Sequence, residues 1–251
     1  GTNGGLQRYD VENDRFLKWG VHVYDEIEIS GDIVYEVQED AEGYFWIGTY
    51  DGGLTRVDTE QREARYFRHD PDDPNSLSDN LVYDMLVDSR GDLWIATNGG
   101  LNRYEPDGER FDVFRYDLYD DTGLSSNTIR VLYEDSQERL WIGTVSGGLN
   151  VLDRNDGSVT HITERDGLSD NSIVSILEGE DGRIWMGTQQ GLSSLDPQTG
   201  MIDTLDERNG LYGGEFQNGH MKDTDGTLYF GGSHGVTRID SSAALHNTHA
   251  P

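Results

Sequence analysis

The chain has 251 residues, no Cys, 34% apolar residues, and 48 acidic against 19 basic side chains, a formal charge of −29. Without Cys there is no disulfide, thiolate metal site or Cys nucleophile. A surface this negative repels nucleic-acid phosphates and anionic lipid headgroups, and no apolar run approaches the ~20 residues that cross a bilayer.

Abundant Gly (32) beside scarce Pro (5) suits many short strands joined by tight turns. One motif recurs every 44 to 48 residues, centred on Trp46, Trp94, Trp141 and Trp185, with Tyr229 in the fifth place. Self-similarity at such a period predicts a propeller array. Residues 1–30 open it as a partial blade: Gly1-Thr2-Asn3-Gly4-Gly5-Leu6 is the pattern cut off on its left, and the chain is expected to be a segment of something longer. Full or nearly full units follow at 31–70, 77–117, 124–164, 168–206 and 211–241, with 242–251 as the start of a linker. Each unit reads as four short strands; in the fourth these are 172–177, 183–188, 192–196 and 201–205. No window sustains apolar spacing at i, i+3, i+4 and i+7. The fold class is therefore all-β: a β-propeller of four-stranded antiparallel blades, five near-complete repeats plus a partial one.

The recurring residues have physical reasons. The second-strand Trp is expected to fill the gap between packed blades. A Gly or Ala two residues later (Gly48, Ala96, Gly143, Gly187, Gly231) is expected to let the adjacent backbone come close. Acidic turns ending in Gly, such as Asp88-Ser89-Arg90-Gly91 and Glu180-Asp181-Gly182, join the first two strands, with Gly supplying positive φ. The Gly before each third strand has the same duty, and Asp58, Glu105, Asp153, Asp196 and Asp240 close the units. Asn80, Asn127 and Asn171 recur in the linkers and read as side chains that bond nearby backbone.

Three phrases, Leu77-Ser78-Asp79-Asn80-Leu81-Val82, Leu124-Ser125-Ser126-Asn127-Thr128-Ile129 and Leu168-Ser169-Asp170-Asn171-Ser172-Ile173, lead into the Trp strands, the last into Ile184-Trp185-Met186-Gly187-Thr188. With His69-Asp70-Pro71-Asp72-Asp73-Pro74-Asn75-Ser76, they resemble the two-component-regulator propeller repeat of bacterial sensor proteins over nearly the whole chain. The fifth unit departs from the pattern at Gly214–Lys222 and Leu228–Gly232 and looks like the last blade before an immunoglobulin-like domain and a membrane span. The resemblance implies part of a seven-bladed ring in a periplasmic sensor region. The output, a histidine kinase or diguanylate cyclase, and the membrane anchor would lie in other parts of the parent, which could homodimerise. The family's ligands are often carbohydrate fragments.

No Gly-x-Ser-x-Gly, His-Glu-x-x-His or P-loop occurs, and the seven His do not recur in phase. The chain itself is expected to be no enzyme and to hold no cofactor and no metal; calcium stays a minor option because Asp residues recur in turns. A constant scaffold with variable loops is how binding sites are displayed. The variable positions between second and third strands include Tyr50, Asp51, Asn98, Ser146, Gln189, Gln190, Ser233 and His234. First-strand residues near the axis vary too: Tyr35, Tyr83, Arg130 and Asn218. As a ring they are the expected site for a small molecule or oligosaccharide, with nucleic acid excluded. The expected role is a ligand-sensing, extracytoplasmic domain of a transmembrane receptor. The alternatives are a propeller lyase or hydrolase, for which His220 and His234 are the hint, and a protein-interaction scaffold.

Overall fold

In the computed structural model, short apolar runs between Gly- and Asp-bearing turns form antiparallel sheets. The structure describes residues 1–20, 22–24, 27–119, 122–211 and 213–241. The linker expected at 242–251 lies outside them. Among the described residues the only helical segments are two single 3-10 turns, Glu164–Asp166 and Glu207–Asn209, and no helix is long and apolar enough to cross a membrane. The chain divides into two compact units, Gly1–Glu134 and Asp135–Pro251.

In the first unit, β1 (Leu6–Asp10) and β2 (Arg15–Gly20) form a two-stranded sheet, as do the short β3 (His22–Tyr24) and β4 (Ile27–Glu28). A four-stranded sheet follows, in the order β5 (Val34–Glu39), β6 (Phe45–Thr49), β7 (Leu54–Asp58) and β8 (Glu63–Phe67). The next consists of β9 (Val82–Val87), β10 (Leu93–Thr97), β11 (Gly100–Glu105) and β12 (Arg110–Phe114). The first strand of the following repeat, β13 (Ile129–Glu134), packs on β9 and β10.

In the second unit β14 (Leu140–Thr144), β15 (Leu149–Leu152) and β16 (Val159–Ile162) run antiparallel in that order. A four-stranded sheet of β17 (Ile173–Glu178), β18 (Ile184–Thr188), β19 (Gly191–Leu195) and β20 (Ile202–Leu205) comes next. The fifth repeat is a three-stranded sheet of β21 (Phe216–Lys222), β22 (Leu228–Gly232) and β23 (Gly235–Ile239). In the fourth repeat the strands fall within one residue of the sequence reading.

The four Trp are buried, each 1–2% exposed. Trp46 of one sheet sits in a cluster with Met85, Leu93, Ile95 and Tyr104 of the next, its ring 4.7 Å from that of Tyr104. What the sequence reading missed is the acid six residues before three of the four Trp. Trp46, Trp94 and Trp141 donate their indole N–H to Oδ2 of Asp40, Asp88 and Asp135 at 2.7, 2.8 and 2.8 Å. The other oxygen of each Asp accepts two backbone N–H groups of its own turn, those of Glu42 and Tyr44, Arg90 and Asp92, or Gln137 and Arg139. One carboxylate thus folds the turn and anchors the blade's largest side chain. The fourth repeat has Gly179 in this place, and the buried Trp185 Nε1 is left without a partner.

Two glycine expectations need amending. At Gly48 and Gly187 what approaches is side chain: a Cβ on Gly48 would stand 2.6 Å from Val82 Cγ1, and one on Gly187 would stand 2.3 Å from Ser175 Oγ and 3.1 Å from Phe216 Cβ, whereas at Gly231 it is backbone as expected, the Gly219 carbonyl oxygen at 3.1 Å. In the third acidic turn Glu138, at φ 60°, stands where the other turns have Gly. The Gly before each third strand does carry positive φ, from 77° at Gly53 to 143° at Gly100.

The linkers are fastened by the recurring polar residues. Asn80, Asn127 and Asn171 accept the N–H of His69, Tyr116 and Glu164 through Oδ1 at 2.8–2.9 Å. Thr49, Thr97, Thr144 and Thr188 each donate Oγ1 to the carbonyl of the Gly opening the third strand, at 2.9–3.0 Å. Many acids act as turn acceptors: Asp58, Asp153 and Asp196 each take the N–H two residues on. Part of the chain's negative charge is therefore turn chemistry.

Candidate ligand-binding site

The first strands break their own alternation. Val34 pairs with Thr49 but Glu36 with Gly48; Val82 pairs with Thr97 but Asp84 with Ala96; Ile173 pairs with Thr188 but Ser175 with Gly187. The extra residue in each bulge is Tyr35, Tyr83 or Val174. A bulge re-aims its side chain and is common beside functional sites. In β21 the slip is larger: Phe216 pairs with Gly232 and His220 with Phe230, so Gln217, Asn218 and Gly219 share the interval. Asn218 shares it with Gln217, rather than being the single counterpart of Tyr35.

In the first unit this geometry brings four of the sequence-predicted residues together. Tyr35 and Tyr83 stack at 6.1 Å with an interplanar angle of 15°, Tyr50 meets Tyr35 edge-on at 5.9 Å, and the Arg130 guanidinium lies 4.7 Å from the Tyr83 ring centre. Tyr35 and Tyr50 are 40% and 46% exposed; Tyr83 and Arg130 are half-buried. The result is a ladder of phenol rings ended by a cation, an arrangement favoured by the ring quadrupole.

Glu36 and Asp84 follow the two bulged tyrosines and were missed, although Val-Tyr-acid recurs in both strands. Asp84 accepts the N–H of Leu132 at 2.7 Å and of Met85 at 2.9 Å. Burial pushes its carboxyl up to about 7; the Leu132 amide opposes the rise and the Glu36 charge adds to it. Burial raises Glu36 as well. Of the remaining predicted residues here, Asn98 accepts a bond from the Thr128 hydroxyl at 3.3 Å, and Asp51 lies over Gly31.

The second unit gathers another group. Gln189 and Gln190 line a cleft of ≈ 360 Å³ with Glu207, Arg208 and Glu215. His234 lines a hollow of ≈ 500 Å³ that also touches Glu207. Ser233 bonds Glu215 through both its N–H and its hydroxyl, at 3.1 and 3.2 Å, and Gln190 Nε2 donates to Asp170 at 2.6 Å. Ser146 is exposed on its loop. His220 Nδ1 is 2.8 Å from the Asn218 carbonyl, and burial lowers the imidazole's pKa. Among the described residues no three His, Asp or Glu converge as a metal site.

A family model described as the two-component regulator propeller matches residues 28–51, 76–99, 123–146 and 167–190. Each segment takes in a linker, a first strand and the following Trp strand. Among curated proteins none matches the sequence significantly. Of solved structures, the extracellular domain assigned to a hybrid two-component system of B. thetaiotaomicron is 24% identical, covering 96% of this chain and 32% of its own, with a TM-score of 0.77. That of another such system of the same organism is 27% identical over 84% and 30%, with a TM-score of 0.73. Virginiamycin B lyase of Staphylococcus aureus, 15% identical over 82% and 69% with a TM-score of 0.58, shares the fold. The chain spans less than a third of either extracellular domain. With four matched repeats, each with a buried second-strand Trp and a Thr-locked hairpin, the chain carries propeller repeats of the two-component-regulator type.

Proposed function

We propose that this chain is a ligand-sensing, extracytoplasmic propeller segment of a bacterial transmembrane signalling receptor. It binds a neutral oligosaccharide or similar small molecule, without converting it, on the platform of Tyr35, Tyr50, Tyr83 and Arg130. The observation that carries this reading is the exposed aromatic ladder on the bulged first strands. Exposed phenol rings offer flat apolar faces rimmed by hydroxyls, which suit the C–H faces and hydroxyls of a sugar. Arg130 presents planar donors at the end of the ladder. The charge of −29 disfavours polyanionic ligands, so the neutral class is preferred. The extracellular setting of the structural relatives supports the location.

A thermal-shift screen against neutral and uronate-bearing oligosaccharides tests the reading. At least one neutral member should raise the unfolding midpoint of the wild-type chain and leave that of Tyr35→Ala unmoved. A screen with no shift, or an equal shift in the variant, would count against it.

A further inference from the structure

The acid after each bulged tyrosine is placed to set the ladder. Glu36 pairs with Gly48, Asp84 with Ala96 and Ser175 with Gly187, so the three hold one position of the repeat. The two repeats with Tyr in the bulge have a carboxylate there, and the fourth, with Val174, has Ser175. In the third repeat Arg130-Val131-Leu132 aligns with Tyr83-Asp84-Met85, which puts Arg130 in the tyrosine's place.

Asp84 reaches across to that repeat. Its Oδ1 accepts the Met85 N–H at 2.9 Å and its Oδ2 the Leu132 N–H at 2.7 Å. These are matching amides of successive first strands, so one carboxylate fixes the offset of β13 against β9. That offset decides where Arg130, two residues before Leu132, stands over Tyr83, its guanidinium 4.7 Å from the ring centre. Of the other elements packed on β9, β5 brings Tyr35, Glu36 and Glu39, and β13 brings Arg130, Tyr133 and Glu134; β6 and β10 bring no titratable side chain. Glu134 is turned to Ser89, whose N–H and hydroxyl it accepts. Glu36 acts on Asp84, its charge adding to the rise that burial causes.

We propose that Asp84 is the positioning residue of the ladder: ionised, it clamps β13 through Leu132 and holds Arg130 against Tyr83; protonated, it slackens that end. An ionised carboxylate makes both amide bonds charge-assisted, roughly twice as strong as those to the neutral acid. Burial makes the ionised form costly to the fold, yet its bonds are the stronger ones. With the carboxyl at about 7, the clamp is tight above about pH 8 and slack below about pH 6. The purpose of the clamp rests on the ligand-platform reading, whereas the positioning is a property of the free chain.

The test follows the Leu132 amide and the Arg130 Nε–H of the free chain by heteronuclear NMR from about pH 5 to about pH 9. Both signals should titrate together with an inflection near pH 7, the second through the ring current of Tyr83. Asp84→Asn should abolish both inflections, and Glu36→Gln should move them to lower pH. Asp84→Ser, which installs the fourth repeat's residue, serves if Asp84→Asn lowers the unfolding midpoint. An Arg130 signal that stays put while Leu132 titrates, or an inflection that survives Asp84→Asn, would overturn the positioning role. The neutral oligosaccharide that gives the largest thermal shift should bind the wild-type chain at least about threefold more weakly at about pH 6 than at about pH 8, and Asp84→Asn equally at both. Equal wild-type affinity at the two would also overturn the proposal. Shared inflections in a chain that binds no oligosaccharide would uphold the clamp and sink the sugar reading alone.

Discussion

Replacing Trp141 by Phe and, separately, Trp185 by Phe removes the same indole nitrogen from two environments of the second unit. Both rings are buried, 2% and 1% exposed, and each change sheds similar apolar area, a loss of about 1 kcal/mol. At Trp141 the change also removes a 2.8 Å hydrogen bond to Asp135, whose side chain is wholly buried. A bond to a charged group contributes about 1.5–3 kcal/mol. Arg139 still holds that oxygen at 2.6 Å, which keeps the loss from growing larger. At Trp185 no bond is lost, and deleting an unpartnered buried N–H recovers about 1–3 kcal/mol. Trp141→Phe should therefore be the less stable variant by at least about 2 kcal/mol, and Trp185→Phe should lie near or above the parent. For a chain of this size that gap is roughly 4–8 °C in midpoint. Urea and thermal unfolding followed by circular dichroism measure it. Equal losses within about 0.5 kcal/mol would refute the assignment of Asp135 as the indole's anchor.

Trp141→Ala should cost about 3–5 kcal/mol in urea unfolding, because it empties an inter-blade gap as well as breaking the bond. Gly53→Ala should destabilise by more than about 1 kcal/mol, since φ is 77° and the new Cβ would stand 2.4 Å from the Phe67 carbonyl oxygen. Gly43→Ala, at φ 85° but in open space, should cost less in the same assay. Asp84 has a folded pKa near 7, above the ~4 of an unfolded Asp. Its contribution to stability is therefore complete below about pH 4 and is lost as pH rises through about 7. Asp84→Asn should remove that slope from urea midpoints measured across the interval, and an unchanged slope would reassign it to other carboxyls.

The blades were legible because their determinants are local and repeated: a Trp strand, a small residue, a Gly before the third strand, and Asn80, Asn127 and Asn171 in phase. The ladder residues Tyr35, Tyr50, Tyr83 and Arg130 were legible as variable points on that constant frame. Their convergence was not, because the bulges that aim Tyr35 and Tyr83 are slips in pairing register, which no residue type announces. The anchoring role of Asp40, Asp88 and Asp135 was readable in principle as an acid at a fixed six-residue offset from Trp, but it was hidden among 48 acidic residues. Glu36 and Asp84 were passed over for the same reason. Glu207 and Arg208 lie in the link between the last two repeats and Glu215 at the head of the irregular fifth, where the motif gives no frame to compare against.

The direct test of the sensing account is calorimetric titration of the oligosaccharide that gives the largest thermal shift into the wild-type chain, Tyr83→Ala and Arg130→Ala. Tyr83 stacks on Tyr35 and lies under Arg130, so removing its ring breaks the ladder at its middle. Losing one aromatic platform of this kind should weaken binding by about 1–2 kcal/mol, roughly five- to thirtyfold, with a smaller loss for Arg130→Ala. Wild-type affinity in both variants, with their unfolding midpoints unchanged, would show that the ladder is not where this protein takes its ligand.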